Sequence, residues 1–234
     1  MMPMRHIPLL LLGLLTLPAL AESSCETPAQ CNQEGTAAYK AGRFEAAIES
    51  FERQLRRVEG EDESGFELAL NNLMLANLRA GDAGMARAWL QVALDRNLSG
   101  SATRHNLAKV TQALDYRALS AGPVGRYLRY SGQAVWSELR ISEIPEGGYQ
   151  ASFAPLRAGA RVEEYGPAAI GELDGKLVGD GVQMRLENAG LGAQCAVQLL
   201  REGIAVQVLE VFTDGCQEYG GMGISVAGDY IKVR

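Results

Sequence analysis

Glycine is distributed unevenly along this 234-residue chain, and the asymmetry divides it into two halves of different character. Residues 22–120 hold seven of the 27 glycines and are rich in Ala, Leu, Glu, Gln and Arg, which favour helices. Residues 121–234 hold nineteen, together with many Val, Ile and Tyr residues, which favour strands and tight turns. We therefore predict an α+β protein with a helical domain over residues 22–120 and a strand domain over residues 124–234.

The first 21 residues have the pattern of a secretory signal peptide. Arg5 supplies a short basic start, a leucine-rich stretch covers residues 7–20, and Ala19-Leu-Ala21 forms a small-x-small cleavage site. The alternative is an uncleaved anchor, but the apolar stretch is shorter than the ~20 residues that a membrane span needs. We expect residues 1–21 to be removed and the protein to be periplasmic or secreted, without an integral membrane span.

The four cysteines agree with export, because an even number in an oxidising compartment predicts disulfides. Four cysteines allow three pairings, and closeness in the sequence favours Cys25 with Cys31 and Cys195 with Cys216. A four-cysteine zinc site is the alternative, but the chain lacks the C-x-x-C pair typical of such sites.

Two segments of the helical half share one spacing of small and large apolar residues. The corresponding positions, each 39 residues apart, are Gly42 and Gly81, Ala47 and Ala86, and Phe51 and Leu90. The pattern resembles the tetratricopeptide repeat, a helix-turn-helix unit in which small residues let two helices approach closely. The usual period is ~34 residues, so about five are extra, and the acidic segment 59–65 supplies them as a solvated loop. Residues 101–119 follow as a capping element, and an ordinary helical hairpin bundle is the alternative fold.

The resemblance also implies a binding face, because the first helices of such repeats line a concave surface that commonly holds a peptide or partner helix. By register, the implied lining residues are Asn32, Thr36, Tyr39 and Lys40, then Asn71, Leu75, Leu78 and Arg79, and finally His105, Lys109 and Gln112. Amides and cations of this kind suit peptide backbone and carboxylates. The implied partner is a protein or peptide of the cell envelope. The alternative is that this face docks onto the strand half of the same chain.

The strand half has apolar residues at every second position, as strands with one buried face do. The clearest example is segment 182–187, in which Val182, Met184 and Leu186 alternate with polar residues. Turn signals occur at residues 146–148, 174–175, 180–181, 202–203 and 214–215. Seven or eight short strands joined by hairpins predict an antiparallel meander that closes into a small barrel and so removes its edges.

Six large residues of the strand half are the predicted barrel interior. They are Trp136, Phe153, Met184, Leu186, Val197 and Val206. An eight-strand barrel is only just wide enough for its own side chains, so packing is favoured over a ligand cavity.

The last forty or so residues resemble a recurring C-terminal module of exported bacterial proteins of unknown activity. The resemblance rests on the paired Cys195 and Cys216 and on a glycine-rich final strand that ends in Tyr230 and a basic residue. The module's proposed shape is similar to the calycin barrels, the lipocalins and their small relatives. Such barrels include small-ligand carriers and periplasmic lysozyme inhibitors. The resemblance therefore implies two alternative functions, inhibition of a lysozyme-type cell-wall hydrolase and transport of a small apolar ligand.

Catalysis and nucleic-acid binding find no support in the sequence. Removal of the leader leaves His105 as the single histidine, which argues against a histidine-based metal site or triad. Glu163 and Glu164 are adjacent, so in a strand they would point to opposite faces and share no substrate. The net charge of −6 argues against a phosphate-binding surface, which normally carries a basic excess. We expect a non-enzymatic exported binding protein without a cofactor or a metal.

Overall fold

The computed structural model describes residues 25–192, 195–212 and 216–234. The predicted leader, residues 1–21, and the turn predicted at residues 214–215 lie outside the described residues. The first half of the described chain is helical and the second half is a closed antiparallel barrel. The predicted α+β class and the closure of the barrel are therefore confirmed.

The helices of the first half are, in chain order, α1 (Pro28–Lys40), α2 (Phe44–Val58), α3 (Glu63–Arg79), α4 (Ala83–Asp95), α5 (Ser101–Ala113) and α6 (Tyr116–Ser120). Polar caps fix several starts: Asp62 accepts from the Gly65 amide before α3, and Asp82 from the Met85 amide before α4. Gly42 and Gly81 have φ values of 74° and 83°, the left-handed region that a non-glycine residue rarely adopts. These two glycines turn the chain within each helix pair, as their matching positions predict.

Small residues let the paired helices approach, which is the physical reason for the repeated pattern. Ala47 and Ala86 are fully buried, and a Cβ placed on Gly35 would lie 2.5 Å from the ring of Phe51. The helix pairs thus occur where the repeat places them. Membership of the tetratricopeptide family stays a prediction.

The strands of the second half are, in chain order, β1 (Gly125–Tyr130), β2 (Trp136–Glu143), β3 (Tyr149–Ala154), β4 (Leu156–Arg157), β5 (Ala169–Ile170), β6 (Leu173–Gly179), β7 (Gln183–Glu187), β8 (Ala196–Glu202), β9 (Ala205–Val211) and β10 (Gly228–Lys232). Eight of them close the barrel in the order β1-β10-β9-β8-β7-β6-β3-β2, with antiparallel neighbours throughout. The short strands β4 and β5 pair outside it, and a helical turn, α7 (Val162–Tyr165), lies between them in the chain.

Hydrophobic side chains pack the interior of the barrel. Five of the six residues predicted to lie there do so: Phe153, Met184, Leu186, Val197 and Val206. Trp136 is the exception, and the prediction that it lies inside the barrel was wrong. It pairs with Tyr130 in the β1–β2 register, and both rings lie outside the barrel against the helical core. Alternation along one strand identifies two faces but does not say which of them a second domain covers.

Two local predictions about the strand half were also wrong. Asp174 and Gly175 form no turn, because they lie within β6, where Gly175 pairs with Ala151. A Cβ on Gly175 would approach the Glu187 carbonyl oxygen to 2.6 Å, so this glycine permits close packing of strands. Glu163 and Glu164 belong to α7 rather than to a strand.

Both predicted disulfides are present. Cys25 pairs with Cys31 at a Cα–Cα distance of 5.0 Å, and Cys195 pairs with Cys216 at 5.7 Å. The first ties the chain before α1 to that helix, and the second ties the start of β8 to the chain after β9. None of the helices in the described residues is both long enough and apolar enough to cross a membrane.

Candidate binding face

The predicted lining residues differ in their solvent exposure. Lys40, Arg79, His105, Lys109 and Gln112 are exposed; Asn32, Thr36, Tyr39, Leu75 and Leu78 are half-buried; Asn71 is buried. The residues on α1 and α3 come together, as the following contacts show, whereas the three on α5 are simply exposed on their helix. We call the surface formed by Asn32, Thr36, Tyr39, Lys40, Asn72, Leu75 and Arg79 the first-helix face.

Two side-chain hydrogen bonds join α1 to α3 along the first-helix face. The Asn72 Nδ2 donates to Asn32 Oδ1 at 2.9 Å, and the Arg79 Nε donates to the Tyr39 hydroxyl at 3.3 Å. The Tyr39 ring also meets Phe44 edge-on, with ring centroids 5.7 Å apart. These contacts orient amide, phenol and guanidinium groups before any partner arrives, which lowers the entropy that binding costs.

Asn71 does not belong to this face, and its predicted role there was wrong. It is only 5% exposed, and its Nδ2 donates to Thr103 Oγ1 at 2.9 Å. Its Oδ1 accepts from Asn106 Nδ2 at 2.7 Å, while the Glu67 carboxylate accepts from Thr103. Asn71 therefore fixes α5 against α3, and the neighbouring Asn72 takes the position on the face. The repeat register places a helix face to within one residue, which is too coarse to separate adjacent asparagines.

The first-helix face and α5 carry cations for which the described part of the chain supplies no salt-bridge partner. Lys40 and Arg79 end their helices, and Lys109 lies exposed on α5. Within the described residues these three make no salt bridge, although the chain as a whole has a net charge of −6. The arrangement favours a partner segment with carboxylates.

The barrel meets the helical half on the opposite, second-helix side. The Trp136 ring of β2 lies edge-on to Trp89 of α4 with centroids 4.7 Å apart, and Tyr130 contacts both. Next to this aromatic cluster, Ala88 of α4 packs on Leu128 and Ile231 of the outer barrel wall. Buried aromatic contacts of this size dominate interface energetics, so α4 is the main docking element.

Glu59 connects the two halves at this interface, although the sequence pattern assigned it to a solvated loop. Its side chain is only 9% exposed, and the carboxylate accepts from the Tyr130 hydroxyl at 2.8 Å and the Gln133 amide at 2.6 Å. Arg96 forms a salt bridge to it at 2.9 Å. Burial, reinforced by the Glu59 charge, raises the pKa of the Tyr130 phenol. In the sequence, Glu59 is one of several acidic residues in a loop, and nothing near it indicates that Tyr130, 71 residues later, is its partner.

Further ties between the halves come from α2 and from the start of α4. Arg57 of α2 forms a salt bridge with Glu163 of α7 at 3.0 Å, and Asp82 forms one with Arg234 at 3.2 Å. Gly84 lies directly against the Val233 carbonyl oxygen. None of these ties between described residues uses a residue of the first-helix face, and Lys40 and Arg79 on that face are exposed.

The described residues contain no cluster of three or more His, Cys, Asp or Glu side chains suited to a metal ion. His105, the single histidine outside the predicted leader, is exposed on α5.

No protein-family model matches the sequence, and neither the curated proteins nor the solved structures include a match to it.

Proposed function

We propose that this protein is an exported, periplasmic or secreted, non-enzymatic adaptor that holds a protein or peptide partner of the cell envelope on its first-helix face. The observation that carries the proposal is the placement of the barrel, which docks on α4 and the end of α2. The alternative in which the helical half uses its candidate face to bind its own barrel is thereby disfavoured.

The chemistry of the first-helix face suits an extended or helical peptide. Asn32 and Asn72 offer amide donors and acceptors for peptide backbone, and Leu75 offers an apolar contact between them and Arg79. Lys40 and Arg79 add positive charge at one end. The preferred partner therefore carries an acidic side chain or a carboxyl terminus near a short apolar stretch.

The barrel has a supporting role in this proposal. A short helical repeat array needs its apolar surfaces covered, and at its end α5 packs against α3 and α4 as a capping helix does. Here the surface of α4 around Ala88 and Trp89 is covered by the barrel wall. The barrel thus stabilises the helices, and the hydrophobic side chains clustered in its interior favour this role over that of a ligand carrier.

Photocrosslinking in intact cells tests the proposal. A photoreactive amino acid replaces Lys40 on the first-helix face, and matched exposed controls replace Glu49 on α2 and Gln198 on the barrel wall. We expect a discrete crosslinked partner from position 40 and none from the two controls. Crosslinks only from position 198 would instead support the barrel-based inhibitor of a cell-wall hydrolase.

A further inference from the structure

A cleft of about 570 Å³ lies between α4 and the outer wall of the barrel. Its helical side comes from α4 and its barrel side mainly from β1, β2 and β7–β10. This volume falls within the roughly 300–1,000 Å³ typical of small-molecule sites. The cleft is separate from the first-helix face, because α4 is the second helix of its pair.

The cleft has an apolar wall. Val92 of α4, Leu128 of β1 and Ile231 of β10 are buried around it, and Leu128 and Ile231 are direct neighbours in the β1–β10 register. Leu200 and Val182 continue the wall outward and are 36% and 47% exposed. Exposed apolar side chains beside a cleft gain free energy when a ligand with an apolar body covers them.

The charges around the cleft are mostly negative. Asp95, Glu202 and Asp229 line it, and within the described residues Glu202 and Asp229 form no salt bridge. Arg201 is the single cation among the described lining residues, and its guanidinium already donates to the carbonyl oxygens of Ser120, Gly181 and Gly203. The cleft therefore attracts positive charge and repels carboxylates.

We infer that this cleft binds a small amphipathic cation, an apolar body that carries a protonated amine. The apolar body covers Leu200 and Val182, and the ammonium group is attracted by the negative charge that Asp95, Glu202 and Asp229 give the lining of the cleft. The Trp136 ring also lines the cleft and adds an aromatic surface for either part of the ligand. Because the ligand touches α4 and the barrel together, it also stabilises the full chain.

Titration of the full chain with octylamine, octanoate and 1-octanol tests this inference, with tryptophan fluorescence as the readout. The chain has two tryptophans, Trp136 lines the cleft, and Trp89 contacts its ring. We expect saturable octylamine binding about tenfold tighter than that of octanoate, and weaker binding as salt rises. The double variant Glu202→Gln with Asp229→Asn should weaken octylamine binding about fivefold and leave 1-octanol unchanged.

Glu143→Gln is the matched control, since Glu143 is an exposed barrel carboxylate outside the lining of the cleft. It should bind octylamine as the parent protein does. Equal affinity for octylamine and octanoate, or no loss in the double variant, would overturn the inference. Sedimentation of the parent protein and of Leu200→Asp supplies a further check. A dimer that only the parent forms would show that a second copy occupies the cleft, which would also overturn it.

Discussion

At the residue scale, the Glu59 carboxylate accepts hydrogen bonds from Tyr130 and Gln133 on the barrel. It also forms a salt bridge with Arg96 on the helical half. Glu59→Ala leaves these donors without their acceptor. We expect a loss of about 2 kcal/mol in the free energy of unfolding, because partly buried donors lose their partner. Urea unfolding measures it. Glu61→Ala is the control, since Glu61 is exposed in the same loop and should change stability by less than about 0.5 kcal/mol.

Two adjacent asparagines on α3 separate stability from binding. Asn71→Ala breaks the buried contacts to Thr103 and Asn106, so we expect a loss of about 2 kcal/mol in unfolding free energy. Asn72→Ala removes one half-buried contact to Asn32 and should cost less than about 1 kcal/mol, yet reduce partner crosslinking from position 40. Urea unfolding measures the change in stability, and the crosslink yield from position 40 measures the change in partner binding. Equal stability losses in both variants would contradict the assignment of Asn71 to the helix interface.

At the scale of the element, the start of α3 depends on a charged cap. Hydrogen bonds from the Gly65 amide and the Ser64 hydroxyl lower the pKa of Asp62 below its ordinary 3.8. A folded-state pKa below the unfolded value means that the cap stabilises α3 above pH 3.8 and that this contribution is lost as pH falls through the lowered pKa. Asp62→Asn should therefore lose less stability than the parent between neutral pH and acid pH. Unfolding free energy measured across that range is the check, and parallel curves would argue against it.

The contact of α4 with β10 depends on the absence of a side chain at Gly84. A Cβ there would overlap the Val233 carbonyl oxygen, which is backbone and cannot rotate away. Gly84→Ala should therefore separate α4 from the barrel end and cost about 1–3 kcal/mol, despite the better helix propensity of alanine. Gly122→Ala is the control, because a Cβ at Gly122 has no atom within 4 Å. It should be neutral or slightly stabilising. Thermal unfolding distinguishes the two variants.

Across the whole molecule, short-range features were the predictable ones. Gly42 and Gly81 turn the helix pairs, and Met184 and Leu186 face the barrel interior, because each of these depends on spacing along the chain. The docking of the two halves was not predictable, since it joins residues such as Glu59 and Tyr130 that lie 71 positions apart. For the same reason, Trp136 on the outer side of β2 was predicted to lie in the barrel interior. The first-helix residues came from the repeat register, while the cleft along α4 has no counterpart in the sequence pattern.

The aromatic cluster of Trp89, Tyr130 and Trp136 decides whether the chain unfolds as one unit. The halves have separate cores, and the cluster is an aromatic contact between them that Glu59 supports. We expect the parent protein to unfold in one calorimetric transition, because a hydrophobic interface keeps two domains from moving independently. Trp136→Ala should lower stability by about 3–5 kcal/mol and split the transition into two, with Trp89 then reporting the helical half alone. The control is Phe212→Ala on the barrel, which removes an exposed ring away from this interface and should preserve one transition. A single transition in Trp136→Ala would show that other contacts are enough to couple the halves.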